Sequence, residues 1–295
     1  MSDGFSLDWL RLREEADRRA RSRALARRFA EAVRAKAGDQ TAVVVDLGAG
    51  SGANFRALAP LIAASQDWRL IDRDPALLAR QAAEIAQWGR AQGYRVAHGS
   101  RIATVAAGDA QWRAQSVALD LVSLERLPFA GVHGVTCSAL LDLVSEAWLE
   151  TLARLVAAWR LPFLAALNTD GRREWQPAHE ADAIVAAAFA RHHRGDKGFG
   201  PALGGAAGSA VAARFAARGY AIVTEPSDWR LGPESRFVLE MLIEDTARAA
   251  VEADPGAAST VADWQGARRS QCVNGMLRLV VGHADILAVA AAKDT

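Results

Sequence analysis

The amino-acid sequence predicts an α/β protein: a mostly parallel sheet with helices on both faces, preceded by a helical amino-terminal segment. Three observations predict it. Residues 42–54, Ala-Val-Val-Val-Asp-Leu-Gly-Ala-Gly-Ser-Gly-Ala-Asn, read as a buried strand closed by an acid, a glycine turn and the start of a helix. Short apolar runs recur between helix-like stretches, the pattern of strands joined by crossover helices. Residues 5–37 hold no Pro or Gly and are rich in helix formers, with an apolar line through Trp9, Leu12, Ala16 and Ala20 that continues through Leu25, Phe29 and Val33.

Bulk properties narrow the class. The chain of 295 residues is 51% hydrophobic and 23% charged, a globular balance able to bury a sizeable core. No apolar run approaches the ~18 residues of a membrane span. The start, Met-Ser-Asp-Gly-Phe, lacks the basic and apolar pattern of a secretory signal. Two cysteines, Cys137 and Cys272, are too few for a disulfide framework, so a cytoplasmic setting is expected. Net charge is +1, which argues against a general nucleic-acid footprint. Yet between Arg11 and Lys36 ten basic residues face four acids, leaving that segment at +6. A cap over the site, a basic arm for RNA and the solvated face of a packed helix are the three readings of this segment.

The glycine turn carries the chemistry. Gly48, Gly50 and Gly52 allow left-handed backbone and let main chain approach a ligand with no Cβ in the way. Gly48-x-Gly50-x-x-Ala53 satisfies a dinucleotide pattern as well. Asp46, two residues before the first glycine where a dinucleotide strand more often has an apolar residue, can accept hydrogen bonds from a cationic amino-acid end or from the loop amides. The string Asp46-Leu-Gly-Ala-Gly-Ser-Gly52 closely resembles the first motif of class I S-adenosylmethionine (SAM) dependent methyltransferases. The resemblance implies a Rossmann-like sheet of seven strands, the last antiparallel and inserted beside the fifth. It also implies SAM as cofactor, with its amino-acid half held by Asp46, Gly48, Ala49, Gly50, Ser51, Gly52 and Asn54.

The remaining elements follow in order. A helix over 54–64 leads to the second strand, Trp68-Arg-Leu-Ile-Asp72, whose terminal acid suits ribose hydroxyls for SAM and NAD alike. Arg73 can lie along the adenine or at the surface. Asp74 and Pro75 start a helix running to about residue 92 and ending at Gly93. Residues 102–107 read as the third strand, and Gly108-Asp109-Ala110 resembles the family's turn in which the acid takes the adenine amino group, implicating Asp109 and Ala110. Gly134-Val-Thr-Cys-Ser-Ala139 is the fourth strand. It carries neither the Asn/Asp-Pro-Pro-aromatic motif nor the Pro-Cys nucleophile known in parts of the family, so Cys137 reads as core.

Residues 162–168 are the fifth strand. The polar stretch Thr169-Asp-Gly-Arg-Arg-Glu-Trp175 reads as a loop at its carboxyl end, where open α/β sheets bind ligands. Asn168, Asp170, Arg172, Arg173 and Trp175 are therefore candidate acceptor contacts, and the two arginines hint at an anion. A helix over 178–191 precedes a glycine-rich loop, His192-His-Arg-Gly-Asp-Lys-Gly-Phe-Gly-Pro-Ala-Leu-Gly204, of the covering kind. His192 and His193 are candidate general bases, since a neutral imidazole can take a proton near neutral pH. Their adjacency is wrong for a metal site, and no metal is expected. Residues 211–217 read as a helix, 220–225 as the sixth strand, 234–252 and 259–271 as two helices, and 276–288 as the seventh strand.

The expected organisation is a cap over 1–40 and a methyltransferase domain over 41–295 with a helical insertion at about 233–275. The expected activity is methyl transfer from SAM to oxygen or nitrogen of a small-molecule acceptor. The alternatives are an RNA methyltransferase, an NAD-dependent oxidoreductase and a methyltransferase-like binding module without catalysis. The oligomeric state is open.

Overall fold

The computed structural model describes residues 6–291. Ser6 caps the first helix, α1 (Leu7–Ala20), its Oγ accepting the Trp9 N–H at 3.1 Å, and Ser22 does the same for α2 (Arg23–Ala37) through Leu25 N–H at 3.0 Å. β1 (Ala42–Leu47) then enters the centre of the sheet, followed by α3 (Ala53–Leu58), β2 (Gln66–Asp72) and α4 (Pro75–Ala91). Asp74 caps α4 with Pro75 at its first position.

β3 (Arg95–His98), β4 (Ile102–Ala107) and β5 (Ala110–Ala118) come next, then β6 (Gly134–Ser138), α5 (Glu146–Ala158) and β7 (Phe163–Gln176). α6 (Asp182–His193), α7 (Ala207–Ala216), β8 (Tyr220–Pro226), β9 (Trp229–Leu231), α8 (Arg236–Ala253), α9 (Ala258–Val273) and β10 (Arg278–Ala290) complete the chain. The strand order is β3-β4-β5-β2-β1-β6-β7-β10-β8, with β9 paired to β10. β5, β2, β1, β6 and β7 are mutually parallel, and β10 runs antiparallel between β7 and β8. The Rossmann-like expectation holds for these seven strands, with β3, β4 and β9 added.

Alternation along β1 divides the core. Ala42 and Val44 face Leu25, Phe29 and Val33 of α2, Phe55 of α3 and Ile85 of α4, whereas Val45 and Leu47 face Leu149, Leu152 and Val156 of α5 and the α7 side. A third cluster joins Trp9 of α1 to α6, α8, α9, Trp175 and Trp229. The amino-terminal segment therefore divides: α2 joins α3 and α4 in one layer of the sandwich, and α1 lies across the carboxyl ends of the strands. A side chain at Gly134 would meet Val33 at 2.5 Å, so α2 seats on β6 because that position has none.

Two strand assignments change. Residues 102–107 form β4, the second arm of an antiparallel hairpin, and the third parallel strand is β5. β5 buries alternate positions, Trp112, Ala114 and Ser116, so its sequence shows polar alternation where a continuous apolar run signalled the others. Residues 169–175 are strand, not loop. They extend β7 by pairing with the start of β10, Arg173 opposite Val281 and Trp175 opposite Leu279. No helix among the described residues is long and apolar enough to cross a membrane.

Candidate functional site

The carboxyl ends of β5, β2, β1, β6 and β7 form one pole of the sheet. β1 ends at the glycine turn, where Gly48 and Gly50 adopt φ of 65° and 52°. Side chains there would meet Leu140 at 3.4 Å and Leu10 of α1 at 3.2 Å, so the turn is a surface of bare backbone roofed by two leucines. Ion pairs hold the roof on both flanks: Arg11 to Glu84 of α4 at 2.6 Å, and Arg56 of α3 to Glu14 at 2.6 and 2.8 Å.

Asp46 is 1% exposed. Its Oδ1 accepts from Asn54 Nδ2 at 2.9 Å, while Oδ2 has no partner among the described residues. Burial pushes its pKa up to about 7, against the Asn54 hydrogen bond and the charge of Arg21, which lower it. Asn54 also donates to Thr136 Oγ1 at 3.0 Å and accepts from Arg21 Nη1 at 2.7 Å, so it braces the carboxylate. Arg21, between the two amino-terminal helices, further donates to Ser138 Oγ at 2.9 Å. Ser51 is buried and turned toward Arg56, 3.3 Å from Nη2, and Ala49 N–H donates to Ile71 O in the backbone.

Asp72 closes the turn from β2. Its Oδ2 accepts from Gly50 N–H at 2.8 Å and Oδ1 from Asp74 N–H at 2.9 Å, each oxygen keeping a second lone pair. Arg73 lies 3.7 Å from Asp120 and close beside Gly198 of the glycine-rich loop.

Asp109 and Ala110 are elsewhere. Asp109 sits in the β4–β5 turn at the amino end of β5, and Ala118, level with Asp72, is nine residues on, about 30 Å at ~3.3 Å per residue. This corrects the adenine assignment. Asp120, two residues past β5, occupies the pole instead, and an acid just beyond an alternating strand was the signal for it.

The acceptor-side expectations are also redistributed. Arg172 bridges Asp170 at 2.7 Å and Asp228 at 2.8 Å. Arg173 stacks over Phe189 at 3.8 Å and donates to Thr246 at 2.6 Å between α6 and α8. Trp175 packs edge-on to Trp264, 5.2 Å between centroids, in the third core. These three serve packing and charge balance, which removes the hint of an anionic acceptor. His192 points to Glu252 on α8, Nε2 at 2.9 Å, and so is turned away from the pole; burial and Lys197 lower its pKa.

Asn168 and His193 do reach the pole. Asn168 is 1% exposed; its Nδ2 donates to Ala165 O and Ala284 O at 2.9 and 3.0 Å, and Oδ1 has no described partner. His193 Nε2 lies 3.1 Å from Oδ2 of Asp142, four residues past β6. Cys137 is fully buried beside Asp46 and Asp142, and desolvation holds its thiol well above the ordinary range, which suits core and not a nucleophile. Ala139, just past β6, and Leu167, within β7, take left-handed φ of 49° and 55°, the strained backbone that clusters at working sites. The Leu167 N–H donates to buried Asp285 at 2.7 Å, which fixes this kink beside Asn168.

The residues fit an amine-bearing nucleoside: an orphaned buried carboxylate for the amine, bare backbone for close approach, and acids at the ends of β2 and β5. Among the described residues no group of three His, Cys, Asp or Glu is placed to hold a metal. No protein-family model and no curated protein matches the chain. Among solved structures it is similar to a SAM-dependent methyltransferase of Geobacter sulfurreducens in complex with S-adenosyl-L-homocysteine (16% identity, 97% of this chain and 99% of that chain, TM-score 0.42). It is also similar to a cyclopropane synthase of Mycobacterium tuberculosis (10%, 88% and 82%, 0.42) and a geranyl diphosphate methyltransferase (10%, 91% and 78%, 0.42). Likenesses this distant leave the assignment to the site's own residues.

Proposed function

We propose that the protein is a SAM-dependent methyltransferase acting on a small-molecule acceptor. One observation carries the reading: the buried Asp46 carboxylate, with Oδ2 unpartnered, at the lip of a side-chain-free turn. A nicotinamide dinucleotide has no cationic amine to meet it, whereas the methionine end of SAM does. Asp46 would hold that amine, Arg21 the methionine carboxylate, Asp72 the ribose and Asp120 the adenine amino group.

When bound, SAM supplies an activated methyl on a sulfonium. The chain's own work is alignment and exclusion of water. Leu10 and Leu140 cover the turn, and the 194–204 loop crosses the pole, with Leu203 N–H donating to Val144 O and Phe199 packed on Trp148 at 5.8 Å. Holding two reactants in line in a dry site removes much of the entropic and solvation barrier of displacement at carbon.

The RNA alternative loses support because α1 spends its charge internally: Arg11, Arg13, Arg18 and Arg19 all have partners within the chain, as does Arg21 just after the helix. Calorimetry with S-adenosylhomocysteine, SAM and NAD side by side tests the proposal. Binding of the first two and not NAD is expected; NAD binding alone would overturn it.

A further inference from the structure

We infer that the methyl acceptor is an amine, held by Asp142 Oδ1 and Asn168 Oδ1, and that His193 is the positioning residue that aims Asp142. The inference rests on the methyltransferase reading and deepens it by naming the acceptor class.

Asp142 follows β6 and Asn168 lies within its parallel neighbour β7, the two segments tied by Ala139 N–H to Ala166 O at 2.9 Å. The glycine-rich loop spans from Asp142 to Asp170, two residues past Asn168. Gly204 N–H donates to Asp142 O at 2.9 Å, and Gly205 lies so close to the Asp170 backbone that a side chain there would fall 2.7 Å from its carbonyl oxygen. Asp142 is 9% exposed and Asn168 1%. Each keeps one oxygen with no partner among the described residues.

Both are acceptors only: a carboxylate has no donor, and both N–H bonds of Asn168 are spent on Ala165 and Ala284. A buried, half-partnered carboxylate is costly until a donor with positive charge reaches it. An acceptor molecule at this place must therefore bring at least two donors and tolerate or develop positive charge. A hydroxyl brings one donor, and a carboxylate would be repelled. A primary amine satisfies both demands, with two N–H donors and a lone pair left free to attack.

The chemistry balances. The neutral amine's lone pair forms the new N–C bond as the C–S bond breaks with its electron pair left on sulfur. The positive charge thus passes from sulfur to nitrogen, whose N–H faces Asp142, and the surplus proton leaves to water afterwards. Charge developing beside a preoriented carboxylate is stabilised where it forms. Nε2 of His193 is engaged by Asp142, so in this reading the imidazole acts on the acceptor through that carboxylate. The imidazole N–H occupies Oδ2, which leaves Oδ1 for the acceptor.

The test uses the full chain and labelled SAM with matched panels of amines, alcohols and carboxylates on the same alkyl and aryl skeletons. Label should enter the amine panel alone. Asp142→Asn should raise the KM for the best amine 10- to 100-fold and leave S-adenosylhomocysteine affinity within twofold by calorimetry. His193→Phe should raise that KM similarly, and His193→Gln, which keeps a donor near the Nε2 position, should restore most of it. Label in the alcohols or carboxylates, none in the amines while S-adenosylhomocysteine binds, or an amine KM indifferent to Asp142 would each overturn the inference. Failure to bind S-adenosylhomocysteine would overturn the methyltransferase reading itself.

Discussion

With the cofactor's amine on Asp46, as proposed above, binding is coupled to the protonation of this carboxyl. Its pKa near 7 stands against an ordinary 3.8, a difference of about 3 units, worth about 4 kcal/mol at ~1.4 kcal/mol per unit. The folded pKa is raised, so the associated stability is full below about pH 4 and is lost as pH rises through about 7. Asp46→Asn removes the titration. The unliganded variant should be more stable than the parent at pH 8, by up to roughly 4 kcal/mol, and not at pH 4, as denaturant melts at the two pH values would show. An ammonium placed on Oδ2 restores the charged form. Below about pH 7 the unliganded carboxyl is mostly protonated, so binding of S-adenosylhomocysteine at pH 6 should release a proton, and the release should fade as pH rises above 7. Calorimetry in two buffers of different ionisation enthalpy reads this number directly. Asp46→Asn should abolish the release and weaken binding by about 1.5–3 kcal/mol, the range of a charge-assisted hydrogen bond. A buffer-independent enthalpy at pH 6 would refute the placement of the amine on Asp46.

Further outcomes are expected. Asp120→Ala should weaken S-adenosylhomocysteine binding several-fold and Asp109→Ala should leave it unchanged, which the same calorimetry separates. Asp72→Asn should weaken binding by about 1–3 kcal/mol, because the amide keeps one acceptor oxygen where the carboxylate offers two to ribose, Gly50 N–H and Asp74 N–H. Arg268 is fully buried, cation over Trp175 and Trp264 at 5.6 Å and paired with Asp182; Arg268→Met should cost about 3 kcal/mol in a urea melt without changing cofactor affinity.

Local signals and the observed fold agree where one residue's environment is set by its near neighbours in the chain. The strand closed by Asp46, the glycines that turn left-handed, Asp74 and Pro75 opening a helix, and the acid ending β2 all act within a few residues, so the sequence by itself determined the sheet's central strands and the glycine turn. Register and direction are different, because they depend on partners far along the chain. Residues 102–107 carry the apolar pattern of a parallel strand, yet their partner is the next segment, and the turn at Asp109 lands at the wrong pole. The polar run at 169–175 became strand only because β10 arrives to pair with it, which sent Arg173 and Trp175 inward.

Tertiary structure alone decided the acceptor side. His192 and His193 are neighbours in sequence, but about 100° of helical rotation sends one to Glu252 and the other to Asp142. Arg21 and Leu10 reached the glycine turn because α1 folds back across it, an approach no local pattern encodes. The unpaired oxygens of Asp142 and Asn168 became meaningful only once packing had removed their other partners and the solvent.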